Sequence, residues 1–150
     1  MLGNAAGVDA RIVKVLRRAK GAERKLLFEH RLVGRRIRER TWAHQKFAID
    51  SDGNTNSWSN FYVRLLLGCC VIKIASQSGF RQWYYDALQP WVHYVPMRAD
   101  MADLIEKIEW CRAHTEECRA IAKAGQAFAL SRTVETEIAD AIARLDAARA

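Results

Sequence analysis

The chain is poor in the features that would mark a membrane, secreted or metal-stapled protein. No segment approaches the ~20 uninterrupted apolar residues needed to cross a bilayer, and residues 1–10 lack the charged start and apolar core of a secretory leader. The expectation is a soluble, cytoplasmic chain, at most peripheral at a membrane surface. Cys69, Cys70, Cys111 and Cys118 include no pair of the C-x-x-C kind, which argues for buried thiols in a reducing compartment rather than a zinc site. There is no internal repeat, no low-complexity linker, and no helix-turn-helix, zinc-finger or RNA-recognition signature. What remains, 150 residues that are 50% hydrophobic, is enough for one domain with a real core.

Acidic residues are scarce only at one end. Residues 1–46 hold 13 Lys+Arg against 4 Asp+Glu, and residues 47–150 hold 11 against 13, so the formal net charge of +7 resides in the N-terminal third. The run Arg35-Arg36-Ile37-Arg38-Glu39-Arg40, with Arg17, Arg18 and Lys20, is the one feature favouring a nucleic-acid-binding protein. A solvated helix face accounts for it equally simply, and nucleic acid is not the expected partner.

Apolar periodicity then gives alternating elements. Residues 8–16 and 25–40 are compatible with helix, interrupted by Gly21 and Gly34. A strand over 46–50 leads through a polar loop to a helix over 57–67 that stops at Gly68, and 70–75 returns as a strand rich in β-branched residues. That is a βαβ unit with a parallel pair. A short aromatic helix over 80–88, a strand at 93–95, a helix capped by Asp100, and helices over 115–130 and 132–149 complete the chain. The predicted class is α/β: one domain over 1–150, with a basic helical lead-in to residue 45, a small parallel sheet and a helical C-terminal layer.

The stretch Asp50-Ser51-Asp52-Gly53-Asn54-Thr55-Asn56-Ser57-Trp58-Ser59-Asn60-Phe61 is the most informative one. It leaves the carboxyl end of a strand, where open α/β sheets bind ligands. Gly53 would let backbone approach a ligand, and a following helix start would offer N–H groups to a phosphate. The alternative is a plain turn in which Asn56 or Ser57 caps the helix.

The loop and the words that follow it resemble glycosyltransferase family 90. They are Lys46-Phe47 leading into Asp52-Gly53-Asn54 with Ser57; Val71-Ile72-Lys73; Phe80-Arg81-Gln82-Trp83-Tyr84-Tyr85; Leu88-Gln89-Pro90-Trp91-Val92-His93-Tyr94-Val95-Pro96; Asp103-Leu104 with Ile108-Glu109-Trp110; and Ile121-Ala122 with Gly125-Gln126-Ala127-Phe128. The likeness reads as closest to bacterial, lipopolysaccharide-modifying members. It implies the Rossmann-like, donor-binding C-terminal half of a two-domain GT-B transferase, which moves a sugar from a UDP-sugar to a hydroxyl acceptor with inversion. The expected acceptor is a lipopolysaccharide or another glycan, and the acceptor-binding half would be a separate part. By the same resemblance Gly53, Asn54, Thr55, Asn56, Ser57 and Trp58 wrap the donor diphosphate, without a metal or cofactor. Many eukaryotic members carry an arginine where this chain has Ser59, and Arg81 is the expected stand-in, Arg64 lying too far along the helix. No residue of the chain is identified as catalytic base. A non-catalytic nucleotide-sugar-binding module is the alternative. The rings of Trp83, Tyr84, Tyr85, Trp91 and Tyr94 are expected to pack between layers, and His93 to be structural.

Overall fold

A computed structural model describes residues 21–35, 38–53 and 55–149. The expected helix over 8–16, together with Arg36, Ile37 and Asn54, lies outside the described residues. The chain divides into two compact units, Met1–Glu39 and Arg40–Ala150.

In the first unit, helix α1 spans Ala22–Glu29 and buries none of its residues. It does not run on to residue 40 as the periodicity predicts. Leu32 N–H donates to Leu27 C=O and Arg31 N–H to Phe28 C=O, with Arg31 at φ +52. This is a Schellman stop with arginine in the left-handed position that glycine usually takes.

The second unit begins with a 3-10 turn, Glu39–His44, which straddles the boundary and which the sequence did not announce. Strand β1 is Phe47–Asp50, helix α2 Asn60–Leu66 and strand β2 Cys70–Ile74. After a long irregular crossover comes β3, Val95–Met97, followed by α3 (Leu104–Ala113), α4 (Thr115–Ser131) and α5 (Val134–Arg149). The three strands pair in parallel in the order β1-β2-β3, so the α/β class and the small parallel sheet hold.

Every residue of β2 is buried, as a central strand covered on both faces requires. Cys70, Ile72 and Ile74 pack with Val95 and Met97 against Leu104, Cys111, Cys118 and Ile121 of α3 and α4. Val71 joins Ala48, Phe61, Leu65, Tyr84, Leu88 and Ala129 on the opposite face. Cys69 and Cys70 fall into these two opposed clusters, and all four cysteines are buried free thiols. Gly125 marks where α4 crosses closest: a Cβ there would stand 2.7 Å from His93 C=O and 2.8 Å from Leu65 Cδ2.

Four further departures from the sequence reading have an identifiable cause. Helix α2 starts at Asn60 rather than 57, because Trp58 takes φ +47 and Ser57 C=O closes a turn with Asn60 N–H. Its N-cap is Ser59, without a side-chain cap bond, so neither Asn56 nor Ser57 caps it. The aromatic helix expected over 80–88 shrinks to a 3-10 turn, Tyr85–Ala87. Its side chains are drawn apart: Tyr84 enters the core, and the Trp83 indole N–H donates to Glu137 of α5. Strand β3 begins two residues late, after a turn in which Trp91 N–H donates to Tyr94 C=O at 2.8 Å. It contains Pro96, which lacks an N–H but sits on an edge strand where that loss is tolerated. Asp103, not Asp100, is the N-cap of α3, while Asp100 closes a preceding turn by accepting from Ala102 N–H at 3.1 Å.

Candidate functional site

Parallel strands put their carboxyl ends on one edge of the sheet, and the chemistry of the chain gathers there. A cavity of about 340 Å³ opens beside β2 and β3, lined among others by Lys73, Ser76, Phe80, Arg81, Tyr85 and Tyr94. Its floor is charged. Asp50, the last residue of β1, is fully buried; Arg64 Nη1 of α2 donates to its Oδ1 at 2.7 Å, and Lys73 Nζ stands 3.1 Å from its Oδ2. Lys73 also donates to Asp52 Oδ1 at 3.2 Å. Its ammonium lies 5.7 Å from the ring centres of both Phe61 and Tyr85. Two carboxylates and two cations therefore balance in a nearly dry place, where an unpaired charge would be prohibitive.

Protonation follows from that packing. Burial pushes the Asp50 carboxyl above its ordinary value, opposed by Lys73, the Ser57 hydroxyl and Arg64. For Lys73 burial acts downward, but the Asp50 carboxylate, with Tyr85 and Asp52, outweighs it and leaves the ammonium above its ordinary value. The lysine is a cation at neutral pH.

The loop between β1 and α2 joins this floor through two buried residues. Asn56 Oδ1 accepts from Ser57 N–H at 2.7 Å and from Tyr85 O–H at 2.9 Å, which ties the loop to the cavity wall. Asn56 Nδ2 is buried without a partner, as is the Tyr84 hydroxyl. The rest of the predicted set is placed differently. Gly53 and Thr55 are exposed, and Trp58 is 76% exposed at φ +47. Gly53 does not take a left-handed backbone, and a Cβ on it would meet only Asn56 C=O at 3.9 Å, so local geometry does not demand glycine there. Arg81 lines the cavity, exposed and paired with Asp86. Arg64 is nearer the charged floor than its spacing suggested, held by Asp50 and lying 4.9 Å over the Trp42 ring.

The aromatic residues divide. Tyr84 is core, and Tyr85 and Tyr94 line the cavity. Trp83 and Trp91 are 56% and 44% exposed, against the expectation of interlayer packing, because Trp91 turns outward at φ +64 to meet Trp110 edge-on. His93 Nδ1 accepts from Gln89 N–H at 2.9 Å, a structural role. The residue that sequence reasoning passed over is Lys73. Its signal was a lone charge inside Val71-Ile72-Lys73-Ile74, a run otherwise fit only for a strand covered on both faces.

Comparison with known proteins finds animal and viral relatives. The chain is 44% identical over 84 residues to protein O-glucosyltransferase 2 of Danio rerio and 36% identical over 84 residues to protein O-glucosyltransferase 3 of Homo sapiens; each match covers 56% of this chain and 16% of the relative. It is 42% identical over 85 residues to protein 035R of Invertebrate iridescent virus 3, covering 55% of this chain and 8% of that protein. The chain thus spans a small fraction of these relatives. They are animal and viral, and give no support to the expected leaning toward bacterial members. The model of "Glycosyl transferase family 90" matches residues 4–145. Since that match takes in all three strands, the loop after β1 and the cavity wall, the chain belongs to glycosyl transferase family 90.

Proposed function

We propose that this chain is the donor-binding part of a glycosyltransferase of the GT-B kind, holding a UDP-sugar in the cleft at the carboxyl edge of its sheet. The observation that carries the reading is Lys73: a buried, charged ammonium on the central strand, facing a cavity whose walls are aromatic and which has a second cation, Arg81, at its rim. A nucleotide diphosphate matches that arrangement. Its charge is drawn to Lys73 and Arg81, and its rings find Phe80, Tyr85 and Tyr94. Gly53, Thr55, Ser57 and Trp58, with Asn54, remain the proposed diphosphate contacts that the family resemblance implies, made mainly by backbone.

In this reading, stabilising the departing diphosphate is the contribution of these residues, and displacement at the anomeric carbon inverts the sugar. The base that deprotonates the acceptor hydroxyl comes from outside the charged floor, because Asp50 is fully buried between two cations and Asp52 is held by Lys73. The names of the animal relatives favour a hydroxyl on a protein as acceptor, ahead of the lipopolysaccharide expected from the sequence.

Calorimetric titration with UDP and UMP tests the reading. We expect UDP to bind more tightly than UMP, and Lys73→Met to weaken UDP at least about tenfold, equivalent to ~1.4 kcal/mol, while changing UMP much less. Equal affinities for the two nucleotides, or a Lys73→Met protein that is folded and binds UDP as before, would remove the diphosphate from this cleft.

A further inference from the structure

Arg81 is the cation at the rim of the cleft, and an internal anion already occupies it. Its Nη2 donates to Asp86 Oδ1, with both side chains exposed. Arg81 lines the cavity and Asp86 does not, so the pair straddles the rim. The buried floor is balanced as well, Asp50 and Asp52 facing Lys73 and Arg64. Floor and rim pair together therefore carry no net charge, and a polyanion that takes Arg81 has to displace a carboxylate.

A further arginine stands behind that carboxylate. Arg144 of α5 holds its Nη1 3.9 Å from Asp86 Oδ2, the oxygen that Arg81 does not use, and its Nη2 donates to Trp83 C=O at 3.0 Å. The backbone bond keeps the guanidinium beside the crossover, while the 3.9 Å pairing is loose and has room to close. Acids on the same helix do not claim it. Asp140, one turn earlier, is engaged by Arg132, Glu137 by Arg132 and Trp83, and Asp146, two positions on, lies on another face. Asp86 thus has one cation in the cleft and one outside it, each facing a different carboxylate oxygen.

We propose that Arg144 is a positioning residue for the nucleotide diphosphate: as the diphosphate engages Arg81, Asp86 passes from Arg81 to Arg144. This rests on the proposed UDP site and adds to it a residue outside the cleft. The exchange replaces one ion pair by another, strands no charge, and leaves the rim net positive. UMP lacks the second phosphate and gains less from it. Helix α5 takes part in nucleotide binding without touching the nucleotide.

Calorimetric titration of the full chain with UDP and UMP tests this at low ionic strength, where exposed charges are least screened, with thermal melts of each variant. Arg144→Gln keeps a donor for Trp83 C=O and removes the charge; it should weaken UDP about two- to fivefold, the range open to an exposed ion pair, and change UMP much less. Arg144→Lys should keep most of the wild-type affinity. Asp86→Asn should tighten UDP by a similar factor, and adding Arg144→Gln to it should change nothing further, since Arg144 then has no carboxylate to receive. The inference is overturned if Arg144→Gln binds UDP as wild type does, weakens UDP and UMP alike, or weakens UDP as much when residue 86 is asparagine. It is overturned too if Asp86→Asn weakens UDP, because Asp86 would then hold Arg81 in place rather than compete for it. A wild-type chain that binds UDP no better than UMP would instead sink the proposed function, and this inference with it.

Discussion

Asp50 and Lys73 are register partners across β1 and β2, and their side chains meet at 3.1 Å on the buried face of the pair. Arg64 closes the other carboxylate oxygen at 2.7 Å, so Asp50 is the hub and Lys73 one of two spokes. Hub and spoke should differ in energy. Asp50→Ala strands Arg64 and leaves Lys73 with Asp52 alone, and should cost about 3–5 kcal/mol in urea unfolding, whereas Lys73→Met leaves Asp50 with Arg64 and should cost less than half as much. Equal costs would show that the two cations are not alternatives.

Gly125 and Gly53 should respond oppositely to alanine. At 125 the added Cβ meets His93 backbone at 2.7 Å and Leu65 at 2.8 Å, so α4 must move off α2 and the turn that precedes β3; we expect a loss of about 1–3 kcal/mol. At 53 the same atom finds ordinary room, and stability should change by no more than ~0.5 kcal/mol. Paired denaturant melts distinguish them, with the midpoint shifting in Gly125→Ala alone.

Tyr84 carries a buried hydroxyl without a partner. Tyr84→Phe removes that group and keeps the ring against Phe61, so it should stabilise by up to about 1–2 kcal/mol. It should also flatten the alkaline limb of stability. Burial raises the Tyr84 pKa above the unfolded 10.0, with Tyr85, Asp50 and Tyr62 adding to it. The unfolded chain therefore releases the proton first, and each step in pH above 10.0 favours unfolding. Lys73 acts in the same direction: its folded pKa exceeds the unfolded 10.5, so its contribution is complete below that value and is lost as pH rises through the folded one. Melting temperatures from pH 8 to 11 should fall less steeply in Tyr84→Phe than in wild type.

Trp91→Ala should be mild. The ring is 44% exposed and meets Trp110 edge-on at 4.8 Å and the Lys107 ammonium at 5.4 Å, so the loss should be about 1 kcal/mol rather than that of a core tryptophan. Trp91→Gly should be milder still, because it relieves φ +64. A thermal shift larger for glycine than for alanine would contradict the strain.

Two helix ends show what the sequence made legible. Helices α1 and α2 both close with the same pair of reverse hydrogen bonds, Leu32 to Leu27 and Arg31 to Phe28 in one, Cys69 to Arg64 and Gly68 to Leu65 in the other. The second has Gly68 at the left-handed position, φ +75, and its end was read correctly. The first has Arg31, which carries no such signal, and the periodicity runs eleven residues past the end of its helix. The site divides along similar lines. The loop after β1 was visible because small polar residues between a strand and a helix have few other uses. Lys73 was hidden inside an apolar word, and its meaning depends on Asp50, 23 positions away in sequence and adjacent only through strand pairing. The outward turn of Trp91 and the unwinding of residues 80–88 come from long-range partners that no local pattern records.

The proposed cleft has walls of unequal stiffness. One is β2, hydrogen-bonded on both edges and buried throughout, so Lys73 is mounted on the least deformable part of the unit. The other is the crossover from Ser76 to Tyr94, whose regular structure is a single 3-10 turn and which carries Phe80, Arg81 and Tyr85. Amide hydrogen exchange should therefore separate them by orders of magnitude, with β2 exchanging only through global unfolding and the crossover through local opening. Under the proposed function, a different ligand would be met by rewriting the crossover, while the strand that supplies the charge stays as it is.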